Sequence, residues 1–294
     1  MPIMNRVDLL VSCPNDGGLV RIQDGVPVSV DNESTTGICC YEDKFLRCIQ
    51  NSIDTPLKLI VYGKEEPQTL VFPEIRDVHD ILAHDGKIYL VSSGSNEIFE
   101  VSSESYEILA RHKFRGKGDA WHLNCLEVYE NRLVVSAFGK FRRHRGYKGR
   151  TRGAGILLDL FSGEVILEGL SQPHSPKVID GFFYICDSEK KGLNRIDMRT
   201  RETTVIEFEN YTRGISFSDE HIYVGISSSR NIDQESKTSK VVVLDRLTLE
   251  RMDDIPLEYG EIYGVSAVPE NMELDFGETA NSVVGGLQSS CYKG

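Results

Sequence analysis

Among the 294 residues there is a single tryptophan, and helical periodicity is hardly visible before Pro269. No apolar run approaches the roughly 18 residues that a membrane-spanning helix needs. The first residues, MPIMNRVDLLVSC, lack the basic start, apolar stretch and small-residue cleavage site of a secretory leader. There is no CxxC pair, and the seven cysteines are an odd number. These absences lead us to expect reduced thiols in a cytoplasmic chain without membrane attachment. Positive charge is also short: 33 Lys and Arg face 45 Asp and Glu, a net charge of −12 that argues against general nucleic-acid binding. Phosphate-cradling GxxxxGK[ST] loops, GxSxG elbows and HExxH pairs are all missing, so three common catalytic routes drop out.

What is present is a repeat. VHDILAHDGKIYLVSSGSNEIFEVSSES from Val78 aligns with PHSPKVIDGFFYICDSEKKGLNRIDMRT from Pro173 and with TRGISFSDEHIYVGISSSR from Thr212. Each unit has a short first strand, a tight turn and a second strand of alternating apolar residues. A third strand and a more polar fourth one follow. Looser copies begin at Thr36 and Trp121. The period is about 45 residues, and Asp-Gly or Glu-Asn pairs stand where hairpins need positive φ. Four-stranded antiparallel units at this period describe an all-β fold, the closed β-propeller. Five full blades are written out, and EIYGVSAV from Glu261 starts a sixth. The strands it lacks, VDLLVSC, GGLVRIQDG and VPVSV, lie at the other end of the chain. We therefore expect a six-bladed ring over residues 5–268, in which the N-terminal strands complete the last blade and leave no long edge exposed. The stretch 269–294 holds too few large apolar residues for another blade and reads as a partly disordered appendage.

The segments DAWHLNCLEV, LSQPHSPKVIDGFFYICDS, YTRGISFSDEHIYVGISSSR and EIYGV resemble an uncharacterised bacterial propeller family, a domain of unknown function with some members near glycan-biosynthesis genes. The resemblance spans roughly residues 75 to 268, with PHSP and TRG as its specific motifs. It implies a propeller and little about activity.

Side chains of the first strand line a propeller's channel at alternate positions. Aligning the blades by their turns puts His79, His174 and Arg213 in register with Thr36, Asn124 and Tyr263. Two residues earlier, on the same strand face, stand Asp77, His122 and Glu261. Pro173 and Pro176 hold His174 in extended backbone, which fits a residue presented at a rim. We therefore expect one channel mouth to gather His79, His122, His174 and Glu261 as acid, base or catalytic groups. Arg213, Asn124, Tyr263, Asp187 and Arg143 are expected there as ligand contacts. A polar channel of this kind must keep its groups solvated or paired. The three imidazoles offer two chemistries: holding a divalent metal, with Asp77, Asp80 or Asp119 behind them, or working as acid and base without one. Trp121 reads as core rather than as a stacking platform.

KFRRHRGYKGRTRG, residues 140–153, holds seven Lys or Arg and no acid. It reads as a solvated, mobile loop over the same mouth. The insert 228–239 falls at the same place in its own blade. Together these features point to a small anionic or sugar-like ligand, such as a nucleotide-sugar derivative, held or transformed by hydrolysis, elimination or epimerisation. A protein-interaction scaffold that uses rims and sides is the competing class.

Overall fold

The computed structural model describes residues 7–15, 17–228 and 238–276. Among them are 24 strands and one short 3-10 turn, arranged as six four-stranded antiparallel sheets. Blade one runs Thr35–Tyr41, Lys44–Ile49, Leu57–Tyr62 and Gln68–Phe72. Blades two to five begin at Val78, Leu123, Pro173 and Tyr211, each within two residues of the start expected from the turns. The turn chemistry holds as well: Asp85-Gly86, Glu130-Asn131 and Asp180-Gly181 all adopt positive φ.

Blade six is made from both ends of the described chain. Gly264–Ala267 pairs with Leu9–Ser12, and Leu19–Gln23 and Val26–Asp31 follow outward. The fold is thus an all-β, six-bladed propeller closed by its N-terminal strands. Among the described residues, six apolar clusters each lie between two neighbouring blades. Trp121 belongs to the cluster between blades two and three, beside Phe114. Near the axis, glycines let inner strands approach. A Cβ on Gly37 would stand 2.8 Å from the Ile81 backbone nitrogen.

Polar links add to this packing. Ser188 Oγ donates to Thr212 O at 2.6 Å, and Ser227 Oγ receives the Ile262 N–H at 2.9 Å, each tying one blade's second strand to the next blade's start. The strongest link is Arg47, in blade one and fully buried. Its two terminal nitrogens take both oxygens of Asp31, at the end of blade six, at 2.5 and 2.6 Å. Burial alone would raise the Asp31 carboxyl, but the Arg47 hydrogen bonds and charge outweigh it and hold it below the usual carboxylate range.

Residues 269–276 do not trail free: Met272 is buried, and the Phe276 ring stands 5.1 Å from Tyr62 and 6.1 Å from Phe45. The rest of the expected appendage lies outside the described residues. Among the described residues, six cysteines are free and no helix is long and apolar enough to cross a membrane.

These contacts make a prediction about closure. Asp31→Ala strands an always-charged guanidinium in the core and should cost about 3–5 kcal/mol in denaturant unfolding. Arg47→Leu leaves a carboxylate that is a third exposed, and should cost clearly less. Because the folded Asp31 pKa is depressed, its contribution is present above about pH 4 and disappears as pH falls below that. Equal losses for the two variants would contradict this account of the latch.

Candidate functional site

Every complete blade shows the same irregularity in its first strand, a one-residue register shift after the opening pairs. Such a bulge re-aims the side chains beside it. Just ahead of it, Asp77, His122 and Gln172 occupy equivalent left-handed positions, with φ of 52°, 50° and 54°. Asp and His tolerate that region better than most residues. The result is a mouth of two tiers. The outer tier is Ser34, Asp77, His122, Gln172, Tyr211 and Glu261, and the inner one Thr36, His79, His174, Arg213 and Tyr263. They surround a cavity of about 690 Å³.

Asn124 shares the inner register yet does not line the cavity. It is fully buried, and its Nδ2 donates to His122 O at 3.0 Å and Pro173 O at 3.3 Å. Its Oδ1 is therefore an acceptor, and it takes the His79 Nδ1–H at 3.2 Å. Asn124 orients a histidine rather than meeting a ligand. His79 Nε2 faces Asp77 Oδ1 at 3.5 Å.

The other two imidazoles have their tautomers decided by neighbours. His122 Nδ1 lies 2.9 Å from Asp119 Oδ1. Burial works against the Asp119 charge, but the His122 ring and the Tyr147 hydroxyl hold this carboxyl below the usual range, so it accepts. His122 therefore donates from Nδ1 and carries its lone pair on Nε2. Burial pushes its pKa down to about 4, although Asp119 pulls the other way. His174 Nδ1 stands 2.9 Å from both Gln172 O and Ser188 Oγ, and the Ser188 hydrogen is already given to Thr212 O. His174 is thus another Nδ1–H donor with Nε2 left over. Burial, and then the Arg213 charge, keep it well below the ordinary imidazole range.

Arg213 donates from Nη1 to Glu261 Oε1 at 3.2 Å, and its guanidinium carbon lies 3.2 Å from the Tyr263 ring centroid. Glu261 Oε2 also accepts from Asn15 Nδ2 at 3.0 Å.

The basic segment departs from the expected free loop. Tyr147 and Thr151 are buried. The Tyr147 hydroxyl donates to Asp119 Oδ2 at 2.6 Å, Arg145 Nε comes within 3.7 Å of the same oxygen, and Asp119 O accepts the Arg145 N–H at 2.6 Å. One buried carboxylate therefore holds both His122 and the strap. Arg145, Tyr147, Lys148 and Thr151 line the cavity, whereas Arg143 is exposed outside it. Asp187 is absent from the lining too: it is buried, accepting the Ser171 N–H at 2.5 Å and pairing with Lys190 at 2.7 Å. Most of the second insert, residues 229–237, lies outside the described residues.

The metal alternative would draw on His79, His122 and His174. Among the described residues no three His, Cys, Asp or Glu side chains converge as a metal site. The Phe138 ring packs against both His122 and His174, at centroid distances of 4.3 and 5.5 Å. Of the three carboxylates near in sequence, Asp119 does back an imidazole and Asp77 approaches one, but Asp80 Oδ2 accepts the Leu126 N–H instead. Phe138, Tyr147, Gln172 and Tyr211 were not anticipated at the mouth. The one sequence signal for Tyr147 was an aromatic hydroxyl in the middle of seven cations. Charged lining groups balance, with Arg145, Lys148 and Arg213 against Asp77, Asp119 and Glu261. A second cavity, of about 410 Å³, opens at the far end of the channel and shares Thr36, His79 and Tyr263 with the first. These three form the neck.

A family model described as Domain of unknown function (DUF4915) matches residues 66–273. No curated protein matches. Among solved structures, a chain of the nidogen/laminin complex is similar with a TM-score of 0.63 at 12% identity, covering 89% of this chain and 98% of that one. A protein of unknown function from Bacteroides caccae gives 0.63 at 11% identity, covering 90% and 100%. A putative 6-phosphogluconolactonase from Bacteroides fragilis gives 0.57 at 9% identity, covering 92% and 99%. Likeness at such identities speaks for the fold alone.

Long-range proton–nitrogen spectra should show His122 and His174 as neutral Nδ1–H tautomers throughout about pH 5 to 8. An Nε2–H pattern, or titration near the ordinary 6.5, would refute the assignment. The linked stability runs in one direction: the unfolded chain takes up protons below about pH 6.5 that the folded one refuses, so stability falls as pH drops toward about 4. For the strap, Tyr147→Phe removes a bond to a charged acceptor and should cost about 2 kcal/mol. Reversing Arg142 and Arg143 should move the melting temperature by no more than a degree or two, since exposed charges contribute little to stability.

Proposed function

We propose, for a chain that belongs to the DUF4915 family, a domain of unknown function, that the channel mouth binds a small polyhydroxylated anion such as a sugar acid or nucleotide-sugar derivative. One observation carries the reading. Two imidazoles, His122 and His174, are fixed as neutral Nδ1–H tautomers in a cavity that Arg213 also lines and whose volume suits such a molecule. Neutral imidazoles with a free Nε2 accept hydrogen bonds from hydroxyls, and sugars are dense in hydroxyls. Arg213, with Arg145 and Lys148 at the rim, supplies the attraction for negative charge.

If the ligand is a substrate, His122 is the group placed to act on it. Its Nε2 takes a proton from a hydroxyl, a water or an acidic carbon, and Asp119 behind it stabilises the imidazolium that forms. Glu261 stands across the mouth as a second acid–base group. Hydrolysis, elimination and epimerisation share that first proton transfer. The six cysteines among the described residues are free, in keeping with a cytoplasmic setting.

Thermal melting with D-glucuronate, glucose 6-phosphate and UDP-glucose tests the proposal. At about a hundred times Kd a ligand stabilises by about 2.7 kcal/mol, a rise of about 4 °C for a chain of this size. At least one of the three should produce it in the wild type and fail to in His122→Asn and Arg213→Met. No rise for any of them would favour the interaction scaffold.

A further inference from the structure

The inner tier leaves two buried polar atoms without a partner among the described residues, Arg213 Nε and Thr36 Oγ1. Both side chains are more than nine-tenths buried, and both residues line the cavity. Such groups are rare in folded proteins because an unmet donor keeps its desolvation cost. Their position gives them a use.

A guanidinium carries its Nε–H and an Nη2–H side by side, spaced to meet the two oxygens of a carboxylate. Glu261 occupies the opposite nitrogen, Nη1, which leaves Nε, buried as it is, with no partner on the edge it shares with Nη2. Tyr263 covers one face of the guanidinium and fixes its plane. Thr36 belongs to the neck at the cavity floor, where a small flat group would come to rest. Charge selects between anions. Arg213 already shares its single charge with Glu261, and the imidazoles of His122 and His174 are neutral, so nothing at the floor would offset the second charge of a phosphate monoester.

We propose that the floor of the mouth is a carboxylate subsite, with Arg213 gripping the group along its Nε–Nη2 edge and Thr36 donating its hydroxyl. The ligand is then a sugar acid or a related hydroxy-carboxylate. This rests on the ligand-binding reading above and narrows it.

The test uses the full chain and the Arg213 Nε–H signal, identified by its loss in Arg213→Lys. D-glucuronate and glycolate should move that signal saturably, whereas D-glucose should not. Arg213→Lys keeps the charge but loses the fork, and should weaken glucuronate binding about tenfold or more. Thr36→Val, of matching shape, should weaken it about threefold or more without lowering the melting temperature. If glucose 6-phosphate raises the melting temperature while no carboxylate moves the Arg213 signal, the subsite is wrong and the mouth reading stands. Should none of the sugars raise the melting temperature, or move any mouth resonance, both fail.

Discussion

Four residue pairs, Leu9 to Ser12 against Ala267 to Gly264, close the ring, and the rest of the molecule depends on them. Each apolar cluster lies between two blades, so a blade without a neighbour on either side would leave half its inner surface wet. Closure also turns a row of strands into a cylinder. Only then do His79, His122 and His174, 43 and 52 residues apart along the chain, come to face one space. The Arg47–Asp31 pair reinforces the same seam from its other side, joining blade one to blade six.

Inside the ring, burial competes with charge, and the outcome differs by residue. At Asp119 the hydrogen bonds win and the carboxylate stays charged; at His122 burial wins and the imidazole stays neutral. The pair is therefore an anion holding a neutral donor, not an ion pair. That asymmetry leaves Nε2 of His122 as an acceptor in the cavity. The same carboxylate docks Tyr147, so a change in the strap and a change in the histidine share one electrostatic anchor. Arg213 completes the balance: flanked by Glu261 and stacked on Tyr263, it can stay charged in a largely buried place.

The basic segment shows where composition misleads. Seven like charges and three glycines describe a loop that repels itself, and that reading fits Arg142 and Arg143, which stay exposed. It missed Tyr147, whose buried bond outweighs the repulsion of neighbours screened by water. Arg143 was expected at the mouth and lies outside its lining, and Asp187 supports a turn. Both sat at plausible positions in the chain, but loop geometry is set by contacts with Asp119 and Ser171, far away in sequence.

The amino-acid pattern determined the number of blades, the closing strands and the register of the inner tier. Hairpin turns need particular residues, and the spacing from a turn to the channel is the same in each blade. Local chemistry repeated at a regular interval is readable without a structure. The tertiary structure alone decided which member of the register faces the cavity and which stands behind it, as Asn124 does behind His79. It also decided the tautomers of His122 and His174, and which nitrogen of Arg213 Glu261 takes. Each of these is a hydrogen-bonding outcome, settled by what stands within about 3 Å. For His79 and Arg213 the deciding atoms come from a neighbouring blade. For His122 and His174 they are close in sequence, but only packing says which way the ring turns.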